Sequence, residues 1–355
     1  MIYAVSQPSF YYIVNRWWAA HGWPVGVWSW LWMLILAVVV LIFLLLTVML
    51  LIWMERKVAG DIQSRIGPLR VGKFGLLQSV ADALKLLTKE DLIPAAADRW
   101  VFILAPIVVF IPTLLVYIVL PFGTDWTLAR DLNVGILFIV AVSAVPIIGL
   151  LMAGWGSNNK WSLLGGLRAA AQLISYEVPL VLTLLTVVAV SNTLNTHDLV
   201  MGQQDGHWLL WRCPPLMIIS FVIFLIAGMA EINRVPFDIP EAESELVAGF
   251  HTEYSGMRFA FFFLGEFAHM FFLAGLGAAL FLGGGDGWSF GPWWLRELLP
   301  FCWFLVKAYV LVWLMMWLRW TLPRLRVDQL MQFAWKLLLP AALVDLLLIA
   351  LWVAH

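Results

Sequence analysis

Between residues 230 and 254 the chain places six carboxylates, Glu231, Asp238, Glu241, Glu243, Glu245 and Glu253, against a single Arg234, a local charge of −5. Pro236 and Pro240 prevent one continuous helix there. Val235, Phe237, Ile239, Leu246, Val247 and Phe250 interleave the acids. A hydrated acidic loop has no use for such residues, so the segment is expected to pack, with its carboxylates partly desolvated and close together. Like charges in a low dielectric raise one another's pKa and titrate as a group. Clusters of this kind mark functional sites, and the chemistry they offer is proton binding and release. Two further acids, Glu177 and Glu266, stand inside strongly apolar runs. A charge in lipid costs at least about 2.5–3.5 kcal/mol, so its default meaning is an ion or proton path. His269 follows Glu266 by three residues and shares its helical face, while Pro179 beside Glu177 can open backbone to water. Asp345 reads either as part of such a path or as a paired structural acid. Lys307 reads either as part of it or as a cation that snorkels to the interface.

These groups need a scaffold, and composition names it. Of 355 residues 63% are apolar and 12% are charged, about half the usual globular share of roughly 25%. Mean hydropathy is +0.92. A water-soluble domain of this size could not bury so much hydrocarbon. Disorder, nucleic-acid binding and a disulfide scaffold are excluded. Cys213 and Cys302 cannot by themselves build an all-cysteine zinc site or hold an iron–sulfur cluster, so no metal site is expected. Eight apolar stretches approach the roughly 20 residues that a bilayer core requires, namely 27–54, 100–121, 134–153, 170–190, 215–230, 259–282, 301–318 and 335–353. The expected fold is an all-α polytopic membrane helix bundle, a single domain of about eight transmembrane helices with ordered polar loops. Residues 1–26, with Tyr11, Tyr12, Trp17, Trp18 and Trp23, read as an aromatic segment at the headgroups.

Sixteen of the 21 Lys and Arg fall in the loops 55–99, 154–169, 231–258 and 319–336. Arg16, Arg130, Arg212 and Arg296 lie on the other side, and Lys307 is within a span. That bias puts the four loops in the cytoplasm and both termini outside. Glu177 and Glu266 then lie at matched depths, roughly 10–12 Å below the cytoplasmic surface. Within the first loop Leu76, Leu77, Val80, Leu84 and Leu87 recur at helical spacing opposite Gln78, Asp82, Lys85 and Lys89, which predicts an amphipathic helix along the membrane surface. Three of the loops carry +7 together against the −5 of the acidic one, so they are expected to dock over the bundle's mouth. No dinucleotide-binding glycine motif, phosphate loop or cysteine cluster appears, so a redox donor, if there is one, has to come from another polypeptide.

Four segments carry a resemblance: ERKVAGDIQSRIGPLRVGKFGLLQSVADALKLLTKED (55–91), GWGSNNKWSLLGGLRAAAQLISYEVPL (154–180), AEINRVPFDIPEAESELVAGFHTEYSGMRFAFFFLGEFAHM (230–270) and WLRWTLPRLRVDQLMQFAWK (317–336). In this order they resemble one family of NADH:quinone oxidoreductase subunits, the membrane-arm subunit of respiratory complex I that adjoins the quinone site. The resemblance implies a subunit of a proton-pumping enzyme in a bacterial inner membrane. Such a subunit is not catalytic alone. It forms the membrane side of a quinone chamber with peripheral-arm subunits and adjoins small and antiporter-like membrane subunits. Quinone is the substrate, and FMN and iron–sulfur clusters belong to partner subunits. Carried over by motif, Glu55, Arg56, Gln63 and Arg65 line the chamber and its entrance, and Arg319, Arg324 and Arg326 match the basic motif after the seventh span. Glu231, Arg234, Asp238, Glu241, Glu243, Glu245 and Glu253 couple reduction to protonation, with Glu177 and Glu266 on the path toward the antiporter-like subunits. Leu69 stands where the family has Asn after Gly-Pro, and Phe267 and His269 replace a usual Tyr and Asn. Two alternatives remain at this level. One is the homologous subunit of a membrane-bound hydrogenase or ferredoxin-linked complex, which neighbouring genes would reveal. The other is a stand-alone ion or proton transporter, which predicts activity from this chain alone and inverted repeats that are not seen.

Overall fold

The computed structural model describes residues 25–123, 132–204, 206–240 and 243–354. Among the described residues there is no strand. The main helices are α1 (Val25–Ile62), α2 (Gln78–Thr88), α3 (Arg99–Leu115), α4 (Gly135–Ser143), α5 (Val145–Gly156), α6 (Lys160–Ser191), α7 (Leu216–Glu231), α8 (Gly256–Phe281), α9 (Trp293–Thr321), α10 (Val327–Phe333) and α11 (Leu339–Ala354). Seven stretches, in α1, α3, α4–α5, α6, α8, α9 and α10–α11, are long and apolar enough to cross a bilayer. The eighth expected span is α7, which has 16 residues. At about 1.5 Å per residue it is some 24 Å long, short of a roughly 30 Å core. It starts after Pro214 and Pro215, which have no N–H to extend it backward. The aromatic segment expected over 1–26 lies almost wholly outside the described residues.

Several boundaries move, each for a local reason. α1 runs eight residues past the expected end at 54, so Glu55 and Arg56 are helical rather than part of a loop. The span expected at 134–153 is two helices joined at Ala144, just ahead of Pro146. The loop expected at 154–169 shrinks to a turn at 157–159, because α6 begins at Lys160. Asn159 caps it, its Oδ1 accepting the Trp161 N–H at 3.0 Å. Lys160, the Gly165-Gly166 pair and Arg168 lower the hydropathy of this first half of α6 without stopping the helix. The loop 319–336 likewise contains α10, which runs through a π turn at Ala334–Leu338 into α11.

α6 and α8 form the middle of the bundle. Their most apolar windows are 56% and 67% buried, against 22% for α1 and for α10–α11. α6 packs on α5, α7 and α11, and α8 on α9, α3 and α1. Tyr117, Phe267, Phe271, Phe272, Phe281 and Phe304 fill the space between them. The outer faces are apolar too. Leu34, Val38, Val39, Ile42 and Leu46 of α1 are exposed, as expected of a surface that meets lipid.

α2 is turned with its polar side inward. Ser79 is buried and donates to the Met49 carbonyl at 2.9 Å, and Asp82 pairs with Arg56 at 2.5 Å. Leu76, Leu77, Val80, Leu84 and Leu87 are all exposed, the arrangement of a helix lying at a membrane surface. The turn before it demands glycine at one point. Gly75 has φ 75°, and a Cβ there would come within 2.3 Å of the Pro68 carbonyl oxygen. Trp53 of α1 donates its indole N–H to the Phe74 carbonyl at 3.1 Å and ties this turn to the bundle.

The opposite end of the bundle is closed by a separate polar knot. Asp286 accepts from the Gly206 N–H at 3.0 Å and the Trp208 indole at 2.8 Å. Lys307 donates to the carbonyls of Leu282 and Asp286 at 2.6 and 2.7 Å, with its amine 4.5 Å above the Trp208 ring. Lys307 is thus held by two backbone carbonyls at this end of the bundle.

Candidate functional site

The end of α1, the start of α6, the end of α7, the start of α8 and the end of α9 meet the acidic segment at one end of the bundle. The segment packs as its apolar residues require. Phe237, Ile239, Leu246 and Phe250 are buried, while Val247 is exposed. Phe250 and Tyr254 insert among Phe102, Leu150, Leu173 and Phe262. Tyr254 stacks on Phe102 at 4.1 Å and donates its hydroxyl to the Phe102 carbonyl at 3.1 Å. Burial pushes this phenol well above its ordinary pKa, so it remains a donor. Gln172 of α6 holds the segment from beneath. Its side-chain N–H groups reach the carbonyls of Ala230 and Phe237 at 2.8 and 2.7 Å and Asn233 Oδ1 at 3.2 Å. Gly165 lets the backbones touch, since a Cβ there would lie 2.7 Å from Gly249 Cα.

Glu55 is the hub. It is 7% exposed, and both its oxygens accept from Arg234 Nη1, at 3.2 and 3.1 Å. Arg319, from the end of α9, binds the same carboxylate. Arg234 is equally buried, with its guanidinium 4.2 Å over the Phe267 ring and its Nη2 3.9 Å from Glu266. Glu266 also meets His251 Nε2 at 3.7 Å. Glu231 meets His269 Nε2 at 3.8 Å, and Glu177 is within electrostatic reach of Glu231. Glu231, Glu266 and His269, with Asn233, Thr113 and Ser143, line a cavity of about 50 Å³ whose other walls include Val109, Leu150, Leu173 and Phe262. It has room for a few waters, and its polar lining offers them partners. The arrangement is one carboxylate, Glu55, held by two guanidinium groups, above a set of acids and imidazoles around a hydratable cavity, groups whose chemistry is proton binding and release.

The remaining predicted residues take other places. Arg56 pairs with Asp82 of α2. Gln63 and Arg65 bond each other at 2.6 Å on the exposed turn after α1. Glu245 pairs with Arg168 of α6 at 2.7 Å, and that hydrogen bond holds its carboxyl below the usual value. Glu253 accepts from the Asn159 amide at 2.6 Å. Arg324 donates to the backbone carbonyl of Asp238. Arg326 is exposed, its N–H bonding Gln329 Oε1 at 3.3 Å at the start of α10. Glu241 and the side chain of Glu243 lie outside the described residues. Basic and acidic loops thus do dock on one another, and Arg258–Asp91 at 3.1 Å adds a pair that charge counting did not single out. His251 and Gln172 were also missed. A lone His in an acidic run and a neutral amide in an apolar one carry no spacing signal. His269 was placed on the face of Glu266, but it pairs with Glu231.

Fold and site define a polytopic helical membrane protein whose buried ionisable groups are gathered at one folded polar end. The chain belongs to the NADH dehydrogenase family, whose model matches residues 35–350. It is 52% identical over 301 residues to a Geobacillus kaustophilus protein, covering 84% of this chain and 87% of that one. It is 46% identical over 315 residues to one from Bacteroides thetaiotaomicron, covering 86% of each, and 49% identical over 304 residues to one from Dehalococcoides mccartyi, covering 86% and 82%. All three are named as the H-subunit of NADH-quinone oxidoreductase. As a member of that family the chain is a membrane subunit of complex I rather than an enzyme by itself.

Proposed function

We propose that the polar end of this chain closes the membrane side of a quinone chamber shared with peripheral-arm subunits, and that its carboxylates couple quinone reduction to proton translocation. FMN and iron–sulfur clusters sit in those partner subunits, and other membrane subunits carry the protons onward. The polar end faces the cytoplasm of a bacterial cell and both termini face out, following the distribution of basic residues. Supporting the chamber are the exposed Arg56, Gln63 and Arg65 and the half-buried Arg319, together with the apolar faces of α1 and α2, where a polar head and an isoprenoid tail would each find matching surface.

The observation that carries the coupling is one carboxylate, Glu55, shared by cations from two distant segments, one of which also reaches Glu266. Reducing a quinone adds negative charge and calls for two protons. Negative charge near Arg319 and Arg234 competes with Glu55 for them. A shift of Arg234 away from Glu266 leaves that acid less compensated, so it takes up a proton; Glu231 responds across the cavity and Glu177 through its electrostatic contact with Glu231. By the family resemblance Asp238, Glu241, Glu243, Glu245 and Glu253 belong to the same coupling loop, and Arg324 and Arg326 to the chamber. The test is a Glu231→Gln/Glu266→Gln double variant of the whole complex in sealed vesicles. Quinone reductase activity and the protons moved per electron are expected to fall together. A normally assembled complex with full coupled activity would overturn the proposal.

A further inference from the structure

The route proposed above does not use Asp345. This acid lies on α11, 3% exposed. Its Oδ2 is hydrogen-bonded to Ser220 Oγ of α7, and Ser220 Oγ lies 3.1 Å from Thr186 Oγ1 of α6. Thr186 Oγ1 donates to the Thr183 carbonyl at 2.7 Å. Asp345 Oδ1 has no hydrogen-bond partner, and among the described residues no Lys, Arg or His side chain pairs with this carboxyl. The Cys213 thiol, just before α7, is the titratable group within its electrostatic reach. Tyr176 and Glu177 on α6, Glu231 on α7 and Lys336 ahead of α11 are nine or more residues from the bonded atoms along their own helices, on the order of 13 Å or more. Thr186 is five residues from the end of α6, and Ser220 is four from the start of α7. The group therefore lies in the half of the bundle away from the polar end.

Hydrogen-bond polarity constrains this chain, because a hydroxyl has one proton to donate. That of Thr186 goes to a carbonyl, which can only accept. With that proton so placed, one sense of the chain has Ser220 donating to Thr186 and Asp345 donating to Ser220. That sense requires the neutral acid. The ionised acid takes the opposite sense, the one in the structure, with Ser220 donating to Asp345 and Thr186 donating either to the Thr183 carbonyl or to Ser220. We infer that Asp345, Ser220 and Thr186 form a proton-binding site in the far half of the membrane, in which two hydroxyls turn to solvate either charge state of one acid. In release, the carboxyl O–H bond breaks and its proton passes to a water molecule; no other bond is broken. The site itself stands on this geometry. Its response to the redox state rests on the coupling function proposed above.

The experiment is infrared difference spectroscopy on the intact complex in lipid, wild type against Asp345→Asn and Ser220→Ala. A protonated-carboxyl C=O band is expected that disappears in Asp345→Asn, shifts in D2O and changes intensity when the quinone site is reduced. In Ser220→Ala the band should move to higher frequency, because the acid loses its acceptor. A missing band, a band unmoved by D2O, or one indifferent to Ser220→Ala would overturn the site. A band that exchanges and titrates with pH but ignores reduction would uphold the site and count against the coupling proposal instead.

Discussion

Replacing Arg234 by Met tests the centre of the site with little change in volume. Arg234 donates from Nη1 to both oxygens of Glu55 and stacks on Phe267, and all three groups are nearly inaccessible. Removing one partner of a buried pair costs about 3–5 kcal/mol, because the other charge stays behind uncompensated. Here Glu55 keeps Arg319, whose side chain is 25% exposed and so partly screened. The Met thioether also keeps contact with the ring. The lower end, about 3 kcal/mol, is therefore expected, roughly a hundredfold in a local opening equilibrium. The readout is hydrogen exchange in the assembled complex at the Asn233 and Phe237 amides, which bond the Ala230 and Arg234 carbonyls. Protection should fall by about two orders of magnitude, and quinone reductase activity should fall with it. Arg234→Lys keeps a charge but not the planar group that stacks on Phe267 and reaches Glu266 with Nη2, and it should lie between. Added salt should change little, since the pair is buried. Wild-type protection in Arg234→Met would refute the view that this guanidinium holds the charges together.

Three further outcomes follow from the same contacts. Gln172→Leu removes the amide that bonds the Ala230 and Phe237 carbonyls and should destabilise residues 230–237 by about 1–3 kcal/mol, read as faster hydrogen exchange there while α2 is unaffected. Gly165→Ala puts a Cβ against Gly249 backbone, which cannot move aside as a side chain could; about 1–3 kcal/mol is expected, and proteolysis within 243–251 is the simple assay. Glu245 has its pKa lowered by Arg168, so the tie is complete above the ordinary value of 4.5 and is lost as pH falls through the lowered one. Exchange at 245–251 should rise only in acid, and Arg168→Gln should abolish that pH dependence.

How much of this could be read from the chain alone depended on the length scale of the signal. The spans were legible because hydropathy sums over some 20 residues, and errors fell where single residues decide. A charged half-turn after residue 54 looks like a loop, yet nothing in Glu55-Arg56-Lys57 stops a helix, and α1 continues. The packing of the acidic segment was legible from its interleaved apolar residues, with Val247 the exception. Pairing was not legible. Glu55 lies 179 positions from Arg234 and 264 from Arg319, and no local pattern reports which cation reaches which acid. The resemblance singled these residues out, but it could not say that Glu55 and Arg234 share one centre while Gln63 and Arg65 stay on the surface.

The pairing pattern also bears on why a bundle in lipid keeps these groups at all. Buried ion pairs are poor sources of stability compared with well-packed apolar residues, so stability does not account for them. Compensation changes with depth. Glu55, nearest the polar end, is bonded to two guanidinium groups. Glu266 is approached by Arg234 and His251 at 3.9 and 3.7 Å, and Glu231 by His269 at 3.8 Å, distances beyond hydrogen-bond range. Asp345, in the far half, has hydroxyls for neighbours. Where fixed cations grow scarcer, an acid in low dielectric is balanced more by a proton than by a neighbour's charge. A fixed cation cannot leave, whereas a proton can. The proposed coupling requires that order, with fixed cations on the acid at the polar end and fewer of them on the acids toward the interior.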